Sequence, residues 1–285
     1  MECILTFLSV VLGTGKNIIS KLGNNYFSNV TDCMKLNTVT SLLGCVVFGL
    51  TAGGRFSGEK NTIFFVLSFL YGLCTLFSQV FYIAAVKDGA VSICSLIYSC
   101  GFIIPTIFAA IFFKETVTLL KIIGILLLTA CTVTAGCKKE KTKEYKWIAP
   151  ACLAMLSSGG VGVLQKIVRN SYSQWNMDEY LFFAFAFMFF LSCLGIVTSK
   201  GKSNGYSAKY AVYTMLLSAC VAGANKLNLY LSGVLSGVVF FPCVNGGCLI
   251  ASALMSGVIF KERFGTKKII AISGSIIAII LVSCG

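Results

Sequence analysis

The sequence contains no histidine, only ten acidic residues and only three prolines among 285. Without histidine the chain lacks the commonest general base and the usual nitrogen ligand of zinc. The carboxylates are scattered and fall at the ends of apolar stretches, so no cluster suits a membrane-embedded enzyme. No phosphate-cradling loop of the Gly-x-x-x-x-Gly-Lys-Ser/Thr type occurs, which removes the basis for ATP-driven chemistry within this chain. Charge of either sign is scarce, at 12% of residues. A soluble domain carries about a quarter, because its surface faces water.

What is present is apolar: 57% hydrophobic residues and a mean hydropathy of +0.88. Stretches near the roughly 20 residues that cross a bilayer core recur along the whole length. The chain is therefore expected to be an all-α integral membrane protein of the cytoplasmic membrane. Strands would be half as long and would alternate polar with apolar residues. The net charge of +13 does not indicate nucleic acid, because the basic residues lie in short connectors. Such connectors set orientation and touch anionic lipid. Of the 14 cysteines, most lie inside apolar spans, as do Cys45, Cys74, Cys94, Cys131 and Cys220, and none forms a C-x-x-C pair. They read as small packing residues, with no metal and no cofactor expected.

Hydropathy and breakers predict ten spans: 3–22, 33–53, 62–86, 90–113, 118–137, 147–168, 180–198, 208–231, 233–260 and 268–284. The opening residues lack a basic leader and read as the start of the first span. The charged run 138–146 reads as a linker between residues 1–137 and 147–285. Trp147, Trp175, Tyr145 and Tyr180 fall near span ends, where interfacial aromatics are favoured.

The two parts share motifs. Phe113-Lys114-Glu115 precedes the fifth span and Phe260-Lys261-Glu262 the tenth, 147 residues later. At that offset Lys121-Ile122-Ile123 falls on Lys268-Ile269-Ile270, and Cys137 on Cys284. Gly15 and Lys21 correspond to Gly160 and Lys166 at an offset of 145. Because each repeat has an odd number of helices, two five-helix repeats must be inverted in the membrane, an arrangement suited to alternating access about a midplane site.

With the glycine-to-lysine spacing in the first helix of each half, Glu115 and Glu262 before the last, turns after Tyr82 and Tyr230, and Pro105 and Pro242 in the fourth and ninth, the chain resembles the drug/metabolite transporter superfamily, of the EamA-like ten-helix type. The resemblance implies a carrier of amino acids, amines, nucleotide sugars or lipid-linked sugars. Related small multidrug exporters hold an acid in the first helix. This helix has Lys16 and Lys21 instead, which argues against proton-coupled export of organic cations.

Three polar sets are candidates for substrate binding. Asn225, Lys226 and Asn228 lie inside the eighth span, where a central lysine costs about 2.5–3.5 kcal/mol on insertion scales and is expected to face water, a partner or a ligand. Ser78-Gln79 matches Asn225-Lys226 at the 147 offset, with Tyr82 one turn on. Asn245, in Pro242-Cys243-Val244-Asn245-Gly246-Gly247, matches Tyr98. Gln165 and Lys166 in the sixth helix join Lys16 and Asn17 in the first. The alternative for Lys226 is snorkelling to the interface, which is also the expectation for Lys166 and Lys21. Glu115 and Glu262 are expected to cap the helix that follows each.

The function expected is secondary transport of a small polar metabolite, with a tilt towards a carboxylate or phosphate because the interior is rich in cations and poor in acids. The alternatives are a flippase for a lipid-linked sugar and a non-transporting receptor or scaffold. No connector is long enough to favour the scaffold. Substrate and lipid are the expected partners, with no nucleic acid, and the chain is monomer or homodimer. The positive-inside rule puts the odd-numbered connectors in the cytoplasm and both termini outside; the resemblance implies the reverse.

Overall fold

The computed structural model describes residues 1–22, 30–53, 61–88, 91–136, 146–198, 208–259 and 266–285. The charged run 138–145, the 54–60 connector, Glu262 with its neighbours and the Lys21 side chain lie outside the described residues. The described residues are helical throughout, without strands. In chain order the helices are α1 (Glu2–Leu22), α2 (Val30–Thr51), α3 (Thr62–Asp88), α4 (Val91–Ser99), α5 (Ile103–Phe112), α6 (Leu119–Gly136), α7 (Ile148–Ser171), α8 (Met177–Thr198), α9 (Ala208–Val234), α10 (Gly237–Ile259) and α11 (Thr266–Cys284). A single 3-10 turn, Cys100–Phe102, joins α4 to α5 and makes one bent rod of them.

Six of these helices (α1, α2, α3, α7, α8 and α10) are long and apolar enough to cross a membrane. α5, α6 and α11 are apolar but shorter, and α9 is long but interrupted by Asn225, Lys226 and Asn228. Large apolar side chains such as Phe7, Leu50, Phe112 and Val197 point outward. Water would not tolerate so many of them, whereas lipid tails solvate them.

Local sequence accounts for the helix ends. Asn176 accepts from the Asp178 amide (2.9 Å) at the start of α8, and Asp178 and Glu179 oppose the positive end of its dipole. Thr118 accepts from the Lys121 amide (3.3 Å) at the start of α6. Pro105 sits in the first turn of α5, where its missing N–H leaves no helical bond unmade, so the bend falls just before it. α5 stops because Lys114 takes a left-handed conformation (φ 51°), at a cost of about 1 kcal/mol for a residue with a Cβ. Pro242 lies inside an unbroken α10.

The helices pair as α2 with α8, α6 with α11, α3 with α7 and α1 with α9, while α10 lies on α1 and α5 on α7. Small residues set several of these approaches. A Cβ on Gly15 would lie 3.2 Å from the Cys220 sulfur, and one on Gly160 would lie 3.2 Å from the Cys74 sulfur. Gly72 of α3 is tighter: a Cβ there would come within 2.4 Å of the Ala184 carbonyl oxygen of α8.

Across the α3–α8 interface Phe64 meets Trp175 (5.0 Å), Phe183 (5.7 Å) and Tyr180 (6.1 Å) edge to face. Each such pair adds about 0.5–1.5 kcal/mol beyond its buried area. Tyr180 is fully buried and donates to the Leu67 carbonyl (3.2 Å), and Trp147 is also buried. Both are packing residues rather than the interfacial anchors expected of them; their positions near helix ends coincide with tight helix contacts.

Gly72→Ala is expected to lower the melting temperature of the purified protein, at a cost of about 1–3 kcal/mol, because backbone and not a flexible side chain must move. Gly49→Ala, whose Cβ would meet Phe182 at an ordinary 3.4 Å, is expected to have little effect in the same thermal melt.

Candidate functional site

The sequence puts polar groups on nearly every helix, and packing sorts them into three places. The first is a latch. Lys166 of α7 is 2% exposed, and its ammonium lies 2.7 Å from a Glu115 carboxylate oxygen. It also donates to the carbonyls of Ser232 (2.9 Å) and Leu235 (3.1 Å) at the C-terminal end of α9. The other Glu115 oxygen accepts from the Ser236 hydroxyl (2.7 Å) and the Val238 amide (3.0 Å) at the N-terminal end of α10. Cation at a helix C-terminus and anion at the next N-terminus is the favourable arrangement for both dipoles. Burial raises the Glu115 pKa. The Lys166 ammonium, the Ser236 hydroxyl and the Val238 and Gly237 amides outweigh it and hold the carboxyl below its ordinary value.

Two expectations are corrected here. Lys166 does not snorkel, because an anion and two carbonyls satisfy it inside the bundle. Glu115 caps α10, not the α6 that follows it, because the left-handed Lys114 redirects the chain towards the α9–α10 junction.

The second place is a relay on α3, α7 and α9. Gln165 donates to the Tyr71 hydroxyl (3.0 Å), Tyr71 donates to Asn225, and Asn225 donates to the Val221 carbonyl (2.8 Å) of its own helix. Tyr71 and Gln165 are buried, so the relay is a satisfied structural network. Asn228, on the same helix, accepts from Ser9 of α1. Lys226 does not join them: its ammonium lies 2.8 Å from Asp178 in the first turn of α8, at the edge of the bundle.

The third place lies towards the other end of α3. Tyr98 of α4 lies near Ser78 of α3 and Ser158 of α7, with the Lys16 ammonium of α1 in longer electrostatic range; the Ser78 hydroxyl itself donates to the Thr75 carbonyl (2.8 Å). Lys16 is also in electrostatic range of Cys248 on α10. Ser78 lies ten residues from the Asp88 end of α3, Ser158 ten from the start of α7, and Tyr98 seven from the start of α4. At about 1.5 Å per residue these are depths of roughly 10–15 Å. Tyr82 stacks obliquely beside Tyr98 (5.2 Å between rings) and hydrogen-bonds Ser95 (2.6 Å). Asn17 donates to Ser252 of α10 (3.2 Å). Gln79 is half-buried beside Ser78. Asn245 is exposed and donates to the Phe241 carbonyl (2.9 Å) within α10.

Of the predicted site residues, then, Tyr82 and Tyr98 meet in the third place, with Gln79 and Asn17 on its flanking helices. Asn225 and Gln165 meet in the relay. Lys226, Asn228 and Asn245 each bond elsewhere. Ser78 stands in the pair that the sequence matches to Asn225-Lys226, whereas Ser158 is outside the sequence candidates, because a single serine in an apolar helix carries no signal of its own. Lys16 did carry one, since it stands in a helix without an acid to pair with. Among the described residues it has no ion-pair partner, and no group of three potential metal ligands occurs.

The fold is one already observed. A solved structure, described only as the crystal structure of a protein, superposes on 99% of this chain and 98% of its own, with a TM-score of 0.77 at 14% identity. At that identity the likeness is one of fold alone. No protein-family model and no curated protein matches the chain.

Replacing Lys166 with Met is expected to cost about 3–5 kcal/mol, because Glu115 would stay buried without its cation. The double variant Glu115→Gln, Lys166→Met is expected to lose less than the sum of the single ones. A carboxylate held below its ordinary pKa adds stability that is complete at neutral pH and is lost as pH falls through the native value. The gap in melting temperature between wild type and Glu115→Gln is therefore expected to hold from pH 8 to 6 and to close below about pH 4.3.

Proposed function

We propose that this chain is a multi-pass protein of the cytoplasmic membrane that moves a small polar metabolite by alternating access. The observation that carries the reading is the half-buried Lys16 ammonium of α1, without an acidic partner among the described residues and in electrostatic range of Tyr98 on α4 and Cys248 on α10. An uncompensated charge deep in an apolar bundle is costly unless it faces water or a ligand.

The inverted repeat is supported by the packing. Matching α1 with α7, α2 with α8, α3 with α9, α4–α5 with α10 and α6 with α11 maps the main helix pairs onto one another: α3 with α7 becomes α9 with α1, and α3 with α8 becomes α9 with α2, although α7 with α9 has no α1–α3 counterpart. The Gly15–Cys220 and Gly160–Cys74 approaches are one contact seen twice under that exchange. Direction agrees. α1 runs against α9, with Ser9 at Asn228 and Gly15 at Cys220, while α7 runs with α9, with Gln165 linked to Asn225 and Lys166 at the Ser232 carbonyl. The equivalent helices α1 and α7 thus point opposite ways, as inverted halves must. Counting α4 and α5 as one gives ten helices among the described residues, six of them long and apolar enough to cross a membrane. EamA-like transporters are built on this plan, and the sequence resemblance points the same way.

Purified protein in liposomes, incubated with a defined mixture of polar metabolites, is expected to accumulate at least one compound above empty liposomes, with Lys16→Ala reducing that uptake at least tenfold. Uptake equal to empty liposomes for every compound, with folded protein recovered from the vesicles, would refute transport and favour the receptor or scaffold reading.

A further inference from the structure

Lys166 settles its charge inside the bundle, and the next cation along the same helix does not. Arg169 stands in the last turn of α7, three residues on from Lys166 and so on the same side of the helix. Its stem lies across Gly233 of α9, where a Cβ would meet the Arg169 Cβ at 2.7 Å and its Nε at 3.0 Å. The glycine is what lets the arginine lie there. The side chain is half-buried and held by this packing, and its Nε is buried without a hydrogen-bond partner. Among the described residues no ion pair reaches the guanidinium: Glu115 is engaged by Lys166, and Asp178 by Lys226.

A buried donor on a cation is costly to leave unmade, so the missing acceptor is expected from outside the chain. The surroundings say where that acceptor lies. The last turn of a spanning helix falls at the lipid–water interface, and the link that follows carries Tyr172 and Trp175 stacked 4.1 Å apart, partly exposed as interfacial aromatics are. Asn170 and Ser171 of α7 and Gly233 and Val234 of α9 are exposed around the arginine, which leaves it open to the membrane surface. The anion concentrated at that level is the lipid phosphate, and a planar guanidinium fits two of its oxygens at once. We propose that Arg169 binds the phosphate of an anionic phospholipid headgroup; this rests on the membrane reading of the chain and not on transport. A net-anionic headgroup is favoured over a choline one, whose own cation competes for the phosphate. Gly233 follows Ser232, whose carbonyl holds Lys166, so the bound headgroup clamps the end of α9 that the Glu115–Lys166 pair already holds.

The test uses the purified, delipidated full-length protein in a neutral detergent, with phosphatidylglycerol, phosphatidylcholine or inorganic phosphate added. A ligand that binds the folded state raises its melting temperature. Phosphatidylglycerol is expected to raise it more than phosphatidylcholine, and inorganic phosphate not at all. In Arg169→Gln the apparent affinity for phosphatidylglycerol is expected to fall about tenfold, and native mass spectrometry to show one retained lipid fewer than wild type. Lys226→Met is expected to keep the wild-type lipid count. Should Arg169→Gln fail to fold, Arg169→Lys, which keeps the charge and loses the fork, is expected to weaken the same affinity. Equal stabilisation by the two lipids, stabilisation by inorganic phosphate alone, or a lipid count and affinity unchanged in both Arg169 variants overturns the proposal. Protein that stays monodisperse without detergent would refute the membrane reading and the lipid site with it, whereas detergent-dependent protein with no lipid preference refutes the site alone.

Discussion

A buried lysine needs an anion, and the position of that anion fixes the bundle. Lys166 is nearly inaccessible. Burial of an ammonium without compensation costs several kcal/mol, so its contact with Glu115 is a constraint rather than an embellishment. Glu115 reaches it from the α5–α6 link, and the two together span the break between α9 and α10. One interaction thereby ties the end of the first half to the middle of the second and satisfies the polar ends of two helices. It requires the left-handed Lys114, the serine at the start of α10 and the end of α9 to be where they are.

The lysines of the bundle then separate by their surroundings. Lys166 is compensated and buried, and Lys226 is compensated by Asp178 near the α8 start. Lys16 has no acidic partner among the described residues and lies in electrostatic range of Tyr98 and Cys248. The same chemical group thus locks one end of the molecule and leaves a charge available in its depth. Around both, glycines let α1 approach α9, and α7 approach α3, through the same glycine–cysteine contact.

Much of this was legible in the residues. Apolar length gave the all-helical class, and the third and seventh spans fall within a few residues of α3 and α8. The Gly15/Gly160 spacing marked real close approaches. What was not legible follows from distance along the chain. Nothing near Glu115 names Ser236 or Val238 as its partners, more than a hundred residues away. Lys226 looked the more exceptional lysine because its neighbours are asparagines, yet helix pairing brings Asp178 to it. Pro105 of the fourth span falls in the first turn of α5, just after the 3-10 turn that separates it from α4, where its missing N–H is harmless.

In the proposed transport cycle, the two halves would exchange access when the Glu115–Lys166 contact, which ties the α5–α6 link to the α9–α10 junction, releases. Distances between spin labels carried by unnatural residues test it most directly. One pair, at 114 and 176, spans the latch face, and another, at 22 and 146, spans the opposite face. In liposomes, Glu115→Gln is expected to lengthen the first distance and shorten the second relative to wild type, each by several ångströms. Distances unchanged in both pairs, or changing in the same sense, would contradict the claim and leave a static bundle.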